Sequence, residues 1–151
     1  MKMKNPKYRT PVIAKPDLLE IVETFDIFKD IPLGKIDAFI DALSYDIEKY
    51  SSGSLILDSN NHQEFFGFIL EGEVKMESAF NEKTIKKGDD IALISALSTS
   101  KVLAKKYIAQ TDCTILWTKL DYYLLTSHFV SMHCINFFDA NLLKILADEL
   151  L

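Results

Sequence analysis

The sequence predicts a mainly β domain, a sandwich or roll, with helices at both ends. Three observations carry this. Residues 65–76 read as two strand-like runs meeting at Glu71-Gly72, with Phe66, Phe68 and Leu70 before the turn and Val74 and Met76 after it alternating with period two. Turn signals then recur at short intervals, at Ser51-Ser52-Gly53-Ser54, Asp58-Ser59-Asn60-Asn61, Asn81-Glu82, Lys87-Gly88-Asp89-Asp90 and Gln110-Thr111-Asp112, leaving room for seven or eight short strands. Residues 129–151 contain no Gly or Pro, as one long helix requires.

Residues 1–16, with Pro6, Pro11 and Pro16, read as an irregular arm. Asp17 is placed to cap a first helix, and Glu20 three residues on completes a capping box. Leu18, Leu19, Val22 and Phe25 follow at helical spacing. Pro32 opens a second helix, with Ile36, Phe39, Ile40 and Leu43 on one face. From Tyr45 the period changes to that of strands.

Gly72 is expected to supply the positive φ of a tight hairpin between the two central strands. Phe65, Gly67 and Ile69 leave the first of these strands apolar on both sides, so both its faces should be covered. Residues 91–100 suit a short helix and loop, and 102–109 and 113–120 two more strands. Asp121 begins a short helix ending near Ser127. In the long helix, Met132, Ile135, Phe138, Leu142, Ile145 and Glu149 form one stripe, and Leu143, Leu146 and Leu150 a second. One stripe can pack on the chain's own body and the other on a second copy.

A chain of 151 residues, 48% hydrophobic and 26% charged, is an ordinary single globular domain by these measures. Its net charge of −5 argues against this chain alone gripping a nucleic-acid backbone. The charge is uneven: residues 1–16 carry five cations and no acid, so the remainder carries −10. Cys113 and Cys134 are too few for a disulfide framework and are expected to be reduced, cytoplasmic thiols. No apolar run is long enough to span a membrane or follows the basic start as a signal peptide requires.

Ile27-Phe28, Tyr50-Ser51-Ser52-Gly53, Ile69-Leu70-Glu71-Gly72-Glu73-Val74 and Lys87-Gly88-Asp89, in this order and ahead of a long helix, resemble a known family. The chain looks like the cyclic-nucleotide-binding-like sensor domain of CRP/FNR-type bacterial transcription regulators, over residues 17–151. The resemblance implies a double-stranded β-helix (jelly roll) with a helical leader over residues 17–127. It implies the start of a dimerisation helix over residues 128–151, the dimer helix carrying Ile135, Phe138, Leu142, Ile145, Leu146 and Glu149. It further implies a cytoplasmic homodimer that meets DNA only through a helix-turn-helix domain absent from this chain, and no enzyme activity. The chain ends within its helix without a capping glycine, which fits a continuation beyond Leu151.

The family's nucleotide binders hold the cyclic phosphate in a cassette after the Gly-Asp turn, with an Arg on the phosphate and a Glu on the ribose. The equivalent stretch here, 91–108, contains neither Glu nor Arg, and Leu93 and Leu103 stand at the two positions. Each lost charge-assisted hydrogen bond is worth roughly 1.5–3 kcal/mol. Asp89 and Asp90 add repulsion at the mouth. Cyclic AMP and cyclic GMP are therefore not expected as ligands. An unknown small-molecule effector would instead sit among Phe66, Phe68, Leu93, Ser98, Thr99, Ser100, Lys101, Leu103 and Met132, although the four polar residues at 98–101 also suit a plain surface loop.

His128, Met132, His133 and Cys134 are the one cluster with metal-ligand chemistry, and only His128 and Met132 share a helical face. Core packing explains them more simply, and no metal or cofactor is expected. His62 has no histidine nearby, which weakens the rival reading of a metal-dependent, cupin-like enzyme. No nucleophile–base motif is present. The other alternative is an interaction module of the same fold that only dimerises.

Overall fold

A computed structural model describes residues 13–43, 45–58, 65–93, 96, 105–119 and 132–150. These fall into two compact units, one of strands, Tyr45–Lys119, and one of helices, residues 13–43 and 132–150. The N-terminal arm up to Val12, the short helix expected at 121–127, His62 and His128 lie outside the described residues.

The strand unit holds eight strands: β1 (Tyr45–Tyr50), β2 (Leu55–Leu57), β3 (Phe66–Glu71), β4 (Glu73–Glu77), β5 (Glu82–Lys86), β6 (Asp90–Ile91), β7 (Lys106–Ala109) and β8 (Cys113–Thr118). They form two antiparallel four-stranded sheets, ordered β1-β8-β3-β6 and β2-β7-β4-β5. The chain changes sheet at every connection between successive strands except the β4–β5 hairpin.

One expectation fails here. The turn at Glu71-Gly72 is not a hairpin, because β3 pairs with β8 and β6 while β4 pairs with β7 and β5. The turn is a corner that carries the chain from one sheet to the other, and residues 110–112 make the same crossing beside it. Gly72 has φ +95°, and a Cβ added there would lie 2.4 Å from the Asp112 carbonyl oxygen. The corner's ladder is closed by partners across it: the Glu73 amide donates to Thr111 Oγ1 (2.9 Å), and the Gln110 amide donates to the Glu73 carbonyl (2.9 Å). A two-residue turn of small polar residues has the same local signature in either role; only its strands' partners distinguish them.

The period-two pattern consequently does not run through the turn. Ile69, Val74 and Met76 meet in the core between the sheets with Ile56, Ile85, Ile91, Ile115 and Trp117. Phe66 and Phe68 face the other way on β3, in register with Thr118 and Leu116. They are buried nonetheless, so β3 is covered on both faces as its sequence predicts.

Trp117, the chain's only tryptophan, is fully buried. Gly67 makes room for it: a Cβ there would lie 3.0 Å from Trp117 Cε3 and 2.9 Å from Ile115 Cγ2. The indole N–H donates to Tyr50 Oη (3.0 Å), whose hydroxyl donates to Glu48 Oε2 (2.7 Å). Full burial of one such aliphatic or aromatic side chain contributes about 1.5–3 kcal/mol. The outer side of the second sheet is polar, with Lys75 paired to Glu77 (3.0 Å) and near Glu82 (3.9 Å).

In the helical unit, α1 spans Lys15–Val22, a 3-10 turn Asp26–Phe28, α2 Leu33–Ala42 and α3 Met132–Leu150. The capping box at Asp17 does not form. Pro16 starts the helix earlier, so Ala14 is the N-cap and Asp17 lies inside the first turn, where its charge still complements the helix N-terminus. Lys15 bridges to Asp37 (2.6 Å) and Asp41 on α2. On α2, Pro32 is the N-cap and Ile36, Phe39 and Ile40 are buried, as their spacing predicts.

Phe138 of α3 stacks on Phe39 at 5.2 Å and tilts against Phe28 at 6.1 Å. Phe138 and Leu142 are buried in the single chain, whereas Leu143 is 67% exposed.

Candidate effector cassette and helix face

The cassette begins at a turn stitched to the middle of β3. Asp89 Oδ2 accepts the Lys86 amide (2.9 Å), the Gly88 amide donates to the Ile69 carbonyl (2.9 Å), and the Ile69 amide donates to the Asp89 carbonyl (3.1 Å). The two-residue strand β6 follows, pairing Asp90 with Phe68 and Ile91 with Gly67.

The chain then leaves the sheet through Ala92, at φ +64°. A left-handed alanine persists only where its surroundings hold it. Here the Ala92 amide donates to Tyr107 Oη across the core (3.2 Å), and the Ala96 amide donates to the Ala92 carbonyl (3.0 Å), closing one helical turn. The Leu93 amide donates to Asp90 Oδ2 (3.3 Å). Ala92, Leu93 and Ala96 are all buried.

The chemistry of this turn follows from those partners. Leu93, at the position where the resemblance implies a ribose-binding carboxylate, is an interior apolar side chain. The amide that opens the helical turn is already met by the chain's own carboxylate. Among the described residues no group of three or more His, Cys, Asp or Glu is placed to hold a metal ion. The free thiol of Cys113 is pushed up in pKa by burial and lies 3.1 Å from the Thr111 carbonyl oxygen, so it is poorly suited to act as a nucleophile.

No protein-family model matches the sequence, and no curated protein matches it. Solved structures do. A cyclic-nucleotide-binding domain from Methylobacillus flagellatus superposes with a TM-score of 0.70 at 17% identity, covering 89% of this chain and 77% of that one. The sensor domain of the transcriptional regulator DNR from Pseudomonas aeruginosa gives 0.64 at 12% identity, covering 89% of each. The regulatory subunit of a cAMP-independent protein kinase A from Trypanosoma brucei gives 0.58 at 20% identity, covering 69% of this chain, which spans only 39% of that subunit.

The fold is that of a cyclic-nucleotide-binding domain.

Within this cyclic-nucleotide-binding fold, the residues assigned from the sequence are placed as follows. Phe66 and Phe68 share the outer face of β3 with their rings edge to face at 5.7 Å, and Phe68 is beside Asp90. Leu93 is in the buried turn. Ser98, Thr99, Ser100, Lys101 and Leu103 lie outside the described residues, and Met132 is in the first turn of α3.

Of the residues assigned to the dimer helix, Phe138 and Leu142 are buried in the chain itself, while Ile145 and Leu146 are half-buried. All six, Ile135 and Glu149 included, are on the one helix α3. Sequence reasoning passed over Ala92, Tyr107 and Asn141. An Asp three residues before Leu93 is a legible helix cap; a left-handed alanine and its tyrosine partner have no local signal.

Proposed function

We propose that this chain is the effector-sensing and dimerisation domain of a CRP/FNR-like transcription regulator, one that does not answer to cyclic AMP or cyclic GMP. The observation that carries this reading is the cassette of a cyclic-nucleotide-binding fold in which Leu93 is buried and its amide is taken by Asp90. A cyclic phosphate brought to that turn meets the Asp90 carboxylate, and Leu93 stands where a ribose acceptor would be. An apolar, uncharged effector is the class that such a lining suits. The cAMP-independent kinase subunit among the neighbours supports the idea that this fold serves regulation without that ligand.

The strand order of the two sheets supports the double-stranded β-helix. In this reading the sensor covers residues 17–127 and the start of the dimerisation helix residues 128–151. The homodimer forms through α3, presenting Leu143 and Leu146 rather than Phe138 and Leu142. DNA is contacted by a helix-turn-helix domain outside this chain, in the cytoplasm, and the chain is not an enzyme. No helix among the described residues is long and apolar enough to cross a membrane.

Titration calorimetry with cyclic AMP and cyclic GMP tests the ligand side: no heat is expected up to millimolar nucleotide, and binding below that would overturn the reading. Sedimentation at tens of micromolar tests the assembly, with a dimer expected. A second reading, a module of this fold that dimerises without any effector, draws on the same self-capped turn. Native mass spectrometry of the purified protein separates the two by the presence of a retained small molecule.

A further inference from the structure

The helical unit contains a strained turn to which one side chain of α3 donates two hydrogen bonds. Between the 3-10 turn and α2 the chain reverses at residues 28–31: the Ile31 amide donates to the Phe28 carbonyl (3.1 Å), Lys29 has φ −56° and ψ 135°, and Asp30 has φ +66°. This is type II turn geometry, whose third position ordinarily belongs to glycine. Aspartate enters that region more readily than most residues, but only at a cost, and it stays there when its surroundings over-determine it.

The surroundings here are α3. The side-chain amide of Asn141 donates to both the Ile27 carbonyl (3.0 Å) and the Lys29 carbonyl (2.9 Å). Those two carbonyls belong to the residues on either side of Phe28 in the chain. One planar amide with two hydrogens spans both; a serine has one donor, and an aspartate would set lone pairs against them. One turn earlier on α3, Phe138 packs on Phe28 and Phe39. Asn141 and Phe138 are three apart and share a helix face, whereas Leu143 stands exposed.

We propose that Asn141 is a positioning residue that fixes the rotation and register of α3 on this turn, and so decides how the Leu143 stripe is presented to a second copy. The partner in this proposal rests on the α3 dimer proposed above. Without the clamp, the two hydrogen bonds from Asn141 to the turn are lost, Asp30 relaxes to negative φ, and the stripe loses its fixed orientation.

The test uses the full chain with Asn141→Ala, Leu143→Glu, and Asn141→Ala combined with Asp30→Gly, followed by amide hydrogen exchange and sedimentation equilibrium. In Asn141→Ala the exchange of the Lys29 and Ile31 amides should rise at least tenfold and the dimer should dissociate at least tenfold more readily. Unchanged Trp117 fluorescence reports that the strand unit is intact. Asp30→Gly should restore slow exchange, since glycine holds positive φ without a clamp, and a merely space-filling role for Asn141 predicts no such rescue. Leu143→Glu should abolish the dimer and leave exchange at Lys29 and Ile31 as in the parent. Unchanged exchange in Asn141→Ala, or raised exchange with unchanged dimer affinity, overturns the proposal alone. A monomeric parent chain overturns the dimer reading and the proposal's partner with it.

Discussion

Gly72 and Cys113 lie so close that a Cβ on Gly72 would stand 2.8 Å from the cysteine sulfur. The two residues sit where the chain leaves one sheet at the β3–β4 corner and enters it again at the β7–β8 corner. Both crossings share one narrow space, and Glu73, Thr111 and the Cys113 thiol exchange hydrogen bonds within it. The sheets can change partners at this end only because Gly72 has no side chain.

Gly72→Ala should therefore destabilise the protein by about 2–4 kcal/mol, combining a left-handed backbone with overlap against another backbone. Urea unfolding followed by Trp117 fluorescence measures this. A loss under 1 kcal/mol would mean that the corner yields, and that the second crossing is not locked to the first.

Tyr107→Phe should cost about 1–3 kcal/mol, because the buried Ala92 amide loses its acceptor in a place water does not easily reach. Ala92→Gly should do the opposite and be neutral or stabilising by up to about 1 kcal/mol, since glycine adopts φ +64° without strain. Thermal unfolding of both variants reads the pair, and a stabilised Tyr107→Phe would contradict the role given to the hydroxyl.

Tyr50 accepts from Trp117 and donates to Glu48, and burial together with the neighbouring Glu48 carboxylate pushes its hydroxyl pKa well up from the ordinary 10.0. The folded state thus holds this proton more tightly than the unfolded state. Its contribution is complete below pH 10 and is lost as the pH rises above 10, where only the unfolded chain ionises. Stability should fall more steeply above pH 10 in the parent than in Tyr50→Phe, as read by urea midpoints at pH 8 through 11. Equal slopes would show that Tyr50 ionises freely in the folded chain.

Phe138→Ala and Leu143→Glu should separate packing from assembly. Phe138→Ala removes a ring stacked on Phe39 and should cost about 3–5 kcal/mol of stability. Leu143→Glu, on an exposed position, should change stability by less than about 0.5 kcal/mol and eliminate the dimer. Sedimentation and unfolding on the same samples distinguish them; a dimeric Leu143→Glu would move the interface elsewhere.

Much of the scaffold was legible because its signals are local. Pro32, the spacing of Ile36, Phe39 and Ile40, the apolar run of β3, and the turn signals at Gly53, Gly88 and 110–112 each act within a few residues, and each element stands where they place it. The lack of Glu and Arg in residues 91–108 is read directly from the sequence, and Leu93 is an apolar residue whatever surrounds it. Asp17 misled because Pro16 competes for the start of the same helix, and the first residue able to begin it wins. Asn141 was invisible because its two partners, Ile27 and Lys29, are more than a hundred residues away.

The sequence by itself determined that this is a two-faced β scaffold with helical ends, and that residues 91–108 contain neither Glu nor Arg. Only the tertiary structure decided that Glu71-Gly72 is a corner and not a hairpin, that Phe66 and Phe68 turn away from Val74 and Met76, and that Phe138 is spent on its own chain. The reason is physical. Period and turn chemistry are set by neighbours along the chain, whereas sheet partners and buried faces are set by which distant surfaces exclude water together.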